Sequence, residues 1–138
     1  MIIKEELEKF GLNPNNAVVI GSGILDALNI RKSNDIDVVV AEETYLQLCN
    51  NDSLKKSEKR GLKILTNDLF EIGTNWVALG KNWRLNDFLK ESVIIDGVRY
   101  VTLEFLLAVK RSWVSENDAR QKDIDDINLI EDYQRSIA

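Results

Sequence analysis

Apolar residues change their spacing repeatedly along the chain, and each change marks an element. Ile3, Leu7 and Phe10 recur at helical spacing with charges between them, and Gly11 with Asn13-Pro14 ends the pattern, predicting a short amphipathic helix. Ala17 to Ile20 is a compact apolar run that stops at Gly21-Ser22-Gly23, after which Ile24, Leu25 and Leu28 start a helical pattern. The segment reads as strand, glycine turn, helix. Ile36 to Val40 is short and β-branched with acids at its entrance, as in a buried central strand. Tyr45, Leu48 and Cys49 share one face of a helix over about 43–49, and the polar stretch Asn50 to Arg60 reads as an exposed loop. Leu62 to Leu65 and Leu69 to Gly73 look like strands joined through Asn67-Asp68, and Leu85, Phe88 and Leu89 suggest a short helix. Val93 to Ile95 and Val98 to Val101 flank Asp96-Gly97, which predicts a hairpin with a two-residue turn. Thr102 caps a helix to about Trp113, and Ile124, Ile127, Ile130 and Tyr133 mark a last one. No repeat, low-complexity tract or linker interrupts this, so 1–138 is expected to be a single domain.

Composition narrows the chemistry more than the fold. The 138 residues include no histidine, which removes Ser/His/Asp and Cys/His nucleophilic catalysis. Cys49 is the only cysteine, so it supplies neither a disulfide nor a tetrahedral zinc set, and it is expected to be a small buried apolar residue. Acid–base work must then come from carboxylates, Lys, Tyr or metal-bound water. The formal charge of −5 gives no support for strong nonspecific nucleic-acid binding. The charged N-terminal stretch is unlike a signal peptide, and no apolar run approaches a membrane span, so a cytoplasmic protein is expected.

The informative segment joins Gly21-Ser22-Gly23 to Asp35-Ile36-Asp37. Strand residues i and i+2 point the same way, so Asp35 and Asp37 project together from a strand whose other members are apolar. Adjacent carboxylates repel unless a cation lies between them. Mg²⁺ is the natural candidate, since it takes one or two protein carboxylates and completes its shell with water and substrate phosphates. The glycine turn offers backbone N–H groups, a helix start and the Ser22 hydroxyl to anionic oxygens. A phosphate cradle beside a metal-binding acid pair points to phosphoryl or nucleotidyl transfer. Taken singly, the turn also reads as a plain Ser-capped turn, and the acids as solvated strand-entry residues. Lys110 emerges from the apolar side of its helix, either with its stem lying along that face or with its ammonium aimed at the triphosphate or the acids. Trp76 and Trp83 could stack a base, but core or partner-surface roles are favoured. Arg120 and Lys122 read as surface charges.

Residues Val18 to Val40 resemble the minimal nucleotidyltransferases of the DNA polymerase beta superfamily, whose pattern is an apolar strand ending in Gly-Ser, a helix, and Asp-x-Asp on the next strand. Leu69 to Gly73 looks like that family's later strand, with Glu71 as third acid and Asp68 at the entrance as the alternative. Thr102, Lys110, Arg120, Lys122 and Asp123 are similar to a helix with a lysine followed by Arg-x-Lys-Asp in antibiotic-modifying and toxin–antitoxin branches. The resemblance implies an α/β fold with a mixed central sheet flanked by helices. It also implies a mechanism with two Mg²⁺ ions, Asp35, Asp37 and Glu71 as metal ligands and catalytic acids, and Gly21, Ser22, Gly23 and Lys110 on the nucleotide. The expected partners are a nucleoside triphosphate, with ATP as donor, and a small-molecule or protein hydroxyl as acceptor. The alternative is a nucleotide-binding or antitoxin-like protein with the same fold and little turnover, paired with another protein chain or with its own copies.

Overall fold

Side-chain alternation in the central strands separates two layers, and the acids follow from it. The computed structural model describes residues 1–115 and 120–138. Its elements are α1 (Ile3–Glu8), β1 (Ala17–Ile20), α2 (Gly23–Ala27), β2 (Ile36–Val40), α3 (Glu42–Leu48), β3 (Lys55–Lys59), β4 (Leu62–Thr66) and β5 (Phe70–Gly73). They continue with β6 (Asn75–Ala78), β7 (Lys81–Arg84), α4 (Leu85–Phe88), a 3₁₀ turn at Leu89–Glu91, β8 (Ser92–Ile95), β9 (Val98–Val101), α5 (Leu103–Ser115) and α6 (Gln121–Ile137). Seven strands form one sheet in the order β3-β4-β5-β2-β1-β9-β8. It is mixed: β1 runs antiparallel to β2, whereas β2–β5 and β1–β9 are parallel. None of the described helices is long and apolar enough to cross a membrane.

On one face, Val19, Ile36, Val38, Val40, Phe70, Ile72 and Tyr100 pack against α1, α2, α5 and α6 through Leu7, Leu25, Leu106 and Ile130. On the other, Val18, Ile20, Val39 and Val101 meet Phe88 of α4 and Phe105 and Val109 of α5. Helix α5 serves both layers, which is why apolar residues run almost round it. Asp37 and Glu71 have the parity of Val39 and so belong to the second face, where cover is incomplete.

The stretch 50–60, expected as a loop, contains strand β3, all five of whose residues are exposed. With no apolar position its strand state is invisible to periodicity; it exists because β4, anchored by buried Ile64 and Leu65, offers a free edge. Charged side chains on such an edge also deter pairing with another chain. The β6–β7 hairpin was not legible either. Trp76 pairs with Trp83 across it, and both tryptophans pack on the second core layer, Trp83 edge-on to Phe105 at 4.8 Å, so they serve as core. The β8–β9 turn is as expected, with Asp96 and Gly97 at φ 49° and 80°. Thr102 Oγ1 accepts a hydrogen bond from the Phe105 amide at 3.1 Å and so caps α5. Cys49 is half-buried against the first layer.

Candidate active site

Asp37 stands in register between Ile20 of β1 and Glu71 of β5. Asp35 comes one residue before β2 begins and, by the two-residue period, projects to the same side. Burial, then the charges of Asp35 and Glu71, push the Asp37 carboxyl up to about 6, against partial relief from Lys59 and Lys122. The group is therefore short of positive charge. Gly21 lies against it: its φ is +65°, and a Cβ there would stand 3.1 Å from Asp37 Oδ2. Only glycine gives this turn both its left-handed backbone and its approach to the carboxylate.

A cleft of about 700 Å³ opens over this face, lined by Gly21, Ser22, Asp35, Asp37, Glu71 and Lys110 among others, with Lys59, Arg60, Arg120 and Lys122 as cationic wall. That volume suits a nucleotide-sized ligand. Ser22 Oγ lies 3.2 Å from Ser33 Oγ, and buried Ser33 donates to the Asp35 carbonyl at 2.9 Å, so the glycine turn and the acid strand are tied together. Helix α2 has only five residues, so its dipole contributes little. Anion binding at the turn rests on its N–H groups and on Ser22. Gly23 differs from Gly21 and Ser22 in being buried, where a Cβ would meet Val19 Cγ1 at 2.3 Å; it lets α2 lie close against β1.

Lys110 borders the cleft, yet its ammonium is already engaged. Nζ lies 3.0 Å from Asp123 Oδ1 and 3.0 Å from Asp126 Oδ2, and all three side chains are buried. Arg31, from the segment between α2 and β2, grips Asp126 with two parallel bonds of 2.7 and 2.8 Å, and Arg120 reaches Asp123 at 3.3 Å. Burial alone would push both aspartates up, but the hydrogen bonds from Lys110, Arg31 and Arg120 outweigh it and hold them below the usual carboxylate range. The chain of charges pins α6 to α5 and to the loop leading into the acid strand. Arg31 and Asp126 are not legible as a pair in the sequence, because residues 95 positions apart carry no mutual signal.

No family model matches the chain, and no curated protein matches it. Two solved structures do. The crystal structure of ANT(2″)-Ia in complex with adenylyl-2″-tobramycin is 17% identical, with 93% of this chain and 83% of that one covered at a TM-score of 0.58. The solution structure of the antibiotic-resistance factor ANT(2″)-Ia is also 17% identical, with coverage of 93% and 78% and a TM-score of 0.59. The fold is nucleotidyltransferase-like. At this identity the likeness concerns the mixed sheet and its flanking helices, as expected from Val18 to Val40.

The donor chemistry of this cleft suits a hard cation, since Asp35, Asp37 and Glu71 present only oxygen. Among the described residues, however, no three acidic or cysteine side chains converge closely enough to enclose an ion as they stand. Glu71 contributes to this, because its Oε1 accepts a hydrogen bond from Lys59 Nζ at 3.1 Å. Asp35 and Asp37 both line the cleft and offer the hard oxygen donors that Mg²⁺ takes, while Glu71 is engaged by Lys59. Asp68 is exposed beside Asn67, whose Oδ1 accepts from the Leu69 and Phe70 amides in the turn before β5.

Proposed function

We propose that the chain is a nucleotidyltransferase that moves a nucleoside monophosphate from a nucleoside triphosphate, with ATP as the expected donor, to a hydroxyl of a small molecule or protein. The observation that carries this reading is Asp37 directly opposite Glu71, with Asp35 on the same side and Gly21 against the Asp37 carboxylate, all in one open cleft. The acceptor oxygen would attack the α-phosphorus, the bond from that phosphorus to the oxygen bridging to the β-phosphate would break, and pyrophosphate would leave. The hydroxyl proton would pass to a carboxylate of the acid group. Mg²⁺, held by Asp35 and Asp37 and joined by Glu71, would supply charge neutralisation for the phosphates and activation of the acceptor hydroxyl. The Gly21-Ser22 turn would orient phosphate oxygens through its N–H groups and hydroxyl.

In the proposed role Lys110 acts on the nucleotide site through Asp123 and Asp126, by fixing the α6 entrance that carries Arg120 and Lys122. The adenylyl-antibiotic named for one similar structure supports a cleft that takes a nucleotide and a hydroxyl-bearing acceptor together. Incubation with α-labelled ATP, Mg²⁺ and a cell extract tests the reading. A labelled adduct with pyrophosphate release is expected; nucleotide binding without release would favour a binding protein on the same fold, for which the Lys59–Glu71 contact is the supporting observation.

A further inference from the structure

The β3–β4 hairpin brings a lysine to a place that its ladder position does not explain. Lys59 is registered opposite Leu62, and continuing the ladder in which Leu65 faces Ile72 sets Leu62 level with Asn75. On a flat sheet that would leave Lys59 and Glu71 about 16 Å apart at their backbones, further than the two side chains reach together. Yet Lys59 Nζ lies 3.1 Å from Glu71 Oε1 and 3.5 Å from Oε2. The hairpin therefore curls over the acid face. Its tip favours this, since Arg60 and Gly61 both have positive φ, 52° and 79°, in a two-residue turn whose twist matches that of the strands. Lys59 has the parity of Leu62, Thr66 and Glu71, so curling carries it toward the acids rather than away.

We propose that Lys59 is a resident counter-cation of the acid group: its ammonium takes the place at Glu71 that a divalent metal takes in the loaded site, so the two exclude one another. The inference rests on the nucleotidyltransfer reading and adds to it a residue that controls metal entry. Three carboxylates on one open face need positive charge whether or not a metal is bound. A lysine on an exposed strand supplies it reversibly. The pair is only partly buried, with side-chain exposures of 59% and 30%, so it is weak enough for a divalent ion to displace. Once displaced, Lys59 and Arg60 stay on the cleft wall, free to face substrate oxygens.

Binding of Mn²⁺ alone, followed by electron paramagnetic resonance on the full chain, tests this without reference to activity. Lys59→Gln is expected to bind Mn²⁺ about fivefold more tightly than the parent at low salt, the size of one unit-charge interaction a few ångströms away in water. Lys56→Gln, the same charge change on an exposed residue of the opposite parity, should leave affinity unaltered. In parallel, a water-soluble carbodiimide should link Lys59 to Glu71 through an amide in metal-free protein, and Mg²⁺ should suppress the link. Equal or weaker Mn²⁺ binding by Lys59→Gln, an equal gain in Lys56→Gln, or a crosslink indifferent to Mg²⁺ would overturn the role of Lys59 alone. No Mn²⁺ binding by parent or variant would overturn both this inference and the metal-dependent reading beneath it.

Discussion

At the residue scale Asp37 carries a charge imbalance, because burial and two neighbouring acids oppose its charge. In the folded protein its carboxyl is pushed up to about 6 from an ordinary 3.8, so the folded protein binds the proton more tightly than the unfolded chain. Metal-free protein should therefore become more stable as pH falls from 7 through 6 toward 4, by on the order of 2–3 kcal/mol from this group. Asp37→Asn should flatten that rise, melt no lower than the parent at pH 7 without metal, and abolish transfer; melting temperatures across the pH range and a transfer assay check all three. Gly21→Ala is expected to cost about 1 kcal/mol or more, since alanine strains the left-handed backbone. Its new methyl would also press on Asp37 Oδ2, so turnover should fall more than stability does.

At the scale of elements, alternation along β5 ranks the third acid. Phe70 and Ile72 are buried in the first core layer, which leaves Glu71 on the face of Asp37, while Asp68 belongs to the turn. Glu71→Gln should lower turnover by orders of magnitude with little change in triphosphate affinity, and Asp68→Asn should cost little; the opposite ranking in a transfer assay would move the third acid to Asp68. The α5–α6 contact yields another expectation. Removing Lys110 as Lys110→Met leaves Asp123, among the described residues, with the long Arg120 contact as its side-chain cation partner and strips Asp126 of one partner, at a cost of about 3–5 kcal/mol. Asp126→Asn, which keeps the shape and leaves Lys110 bound to Asp123, should lose less. Chemical denaturation of the two variants would show the ranking, and equal losses would mean that the network does not depend on the central ammonium.

At the scale of the whole molecule, the second sheet face stays partly open because the β6–β7 hairpin, α4 and α5 cover only the β1, β2 and β9 part of it. A ligand filling the cleft beside Asp37 then bridges elements that otherwise meet little, and should stabilise the entire fold. Mg²⁺ with a nucleoside triphosphate at 100-fold excess over its Kd should add about 2.7 kcal/mol, and far less should come from either alone. Thermal melts with the four triphosphates measure this. No shift with any of them would remove both the transferase and the nucleotide-binding readings.

The sequence by itself determined the elements whose apolar period is strong, β1, β2, β4, β5, β9, α5 and α6, and with them the sheet face on which Asp37 and Glu71 stand and the turn at Gly21 and Ser22. These are local properties: two-residue alternation fixes a face, and glycine fixes a turn, without knowledge of the neighbour. Only the tertiary structure showed that Lys55–Lys59 is a strand, because its pairing energy comes from β4 and none from its own exposed side chains. Only the structure engaged Lys110 with Asp123 and Asp126, buried Gly23 under the turn, and bent Lys59 onto Glu71. Each of these depends on distances between residues far apart in the chain, and periodicity holds no information about which elements meet or how far a twisted hairpin curls.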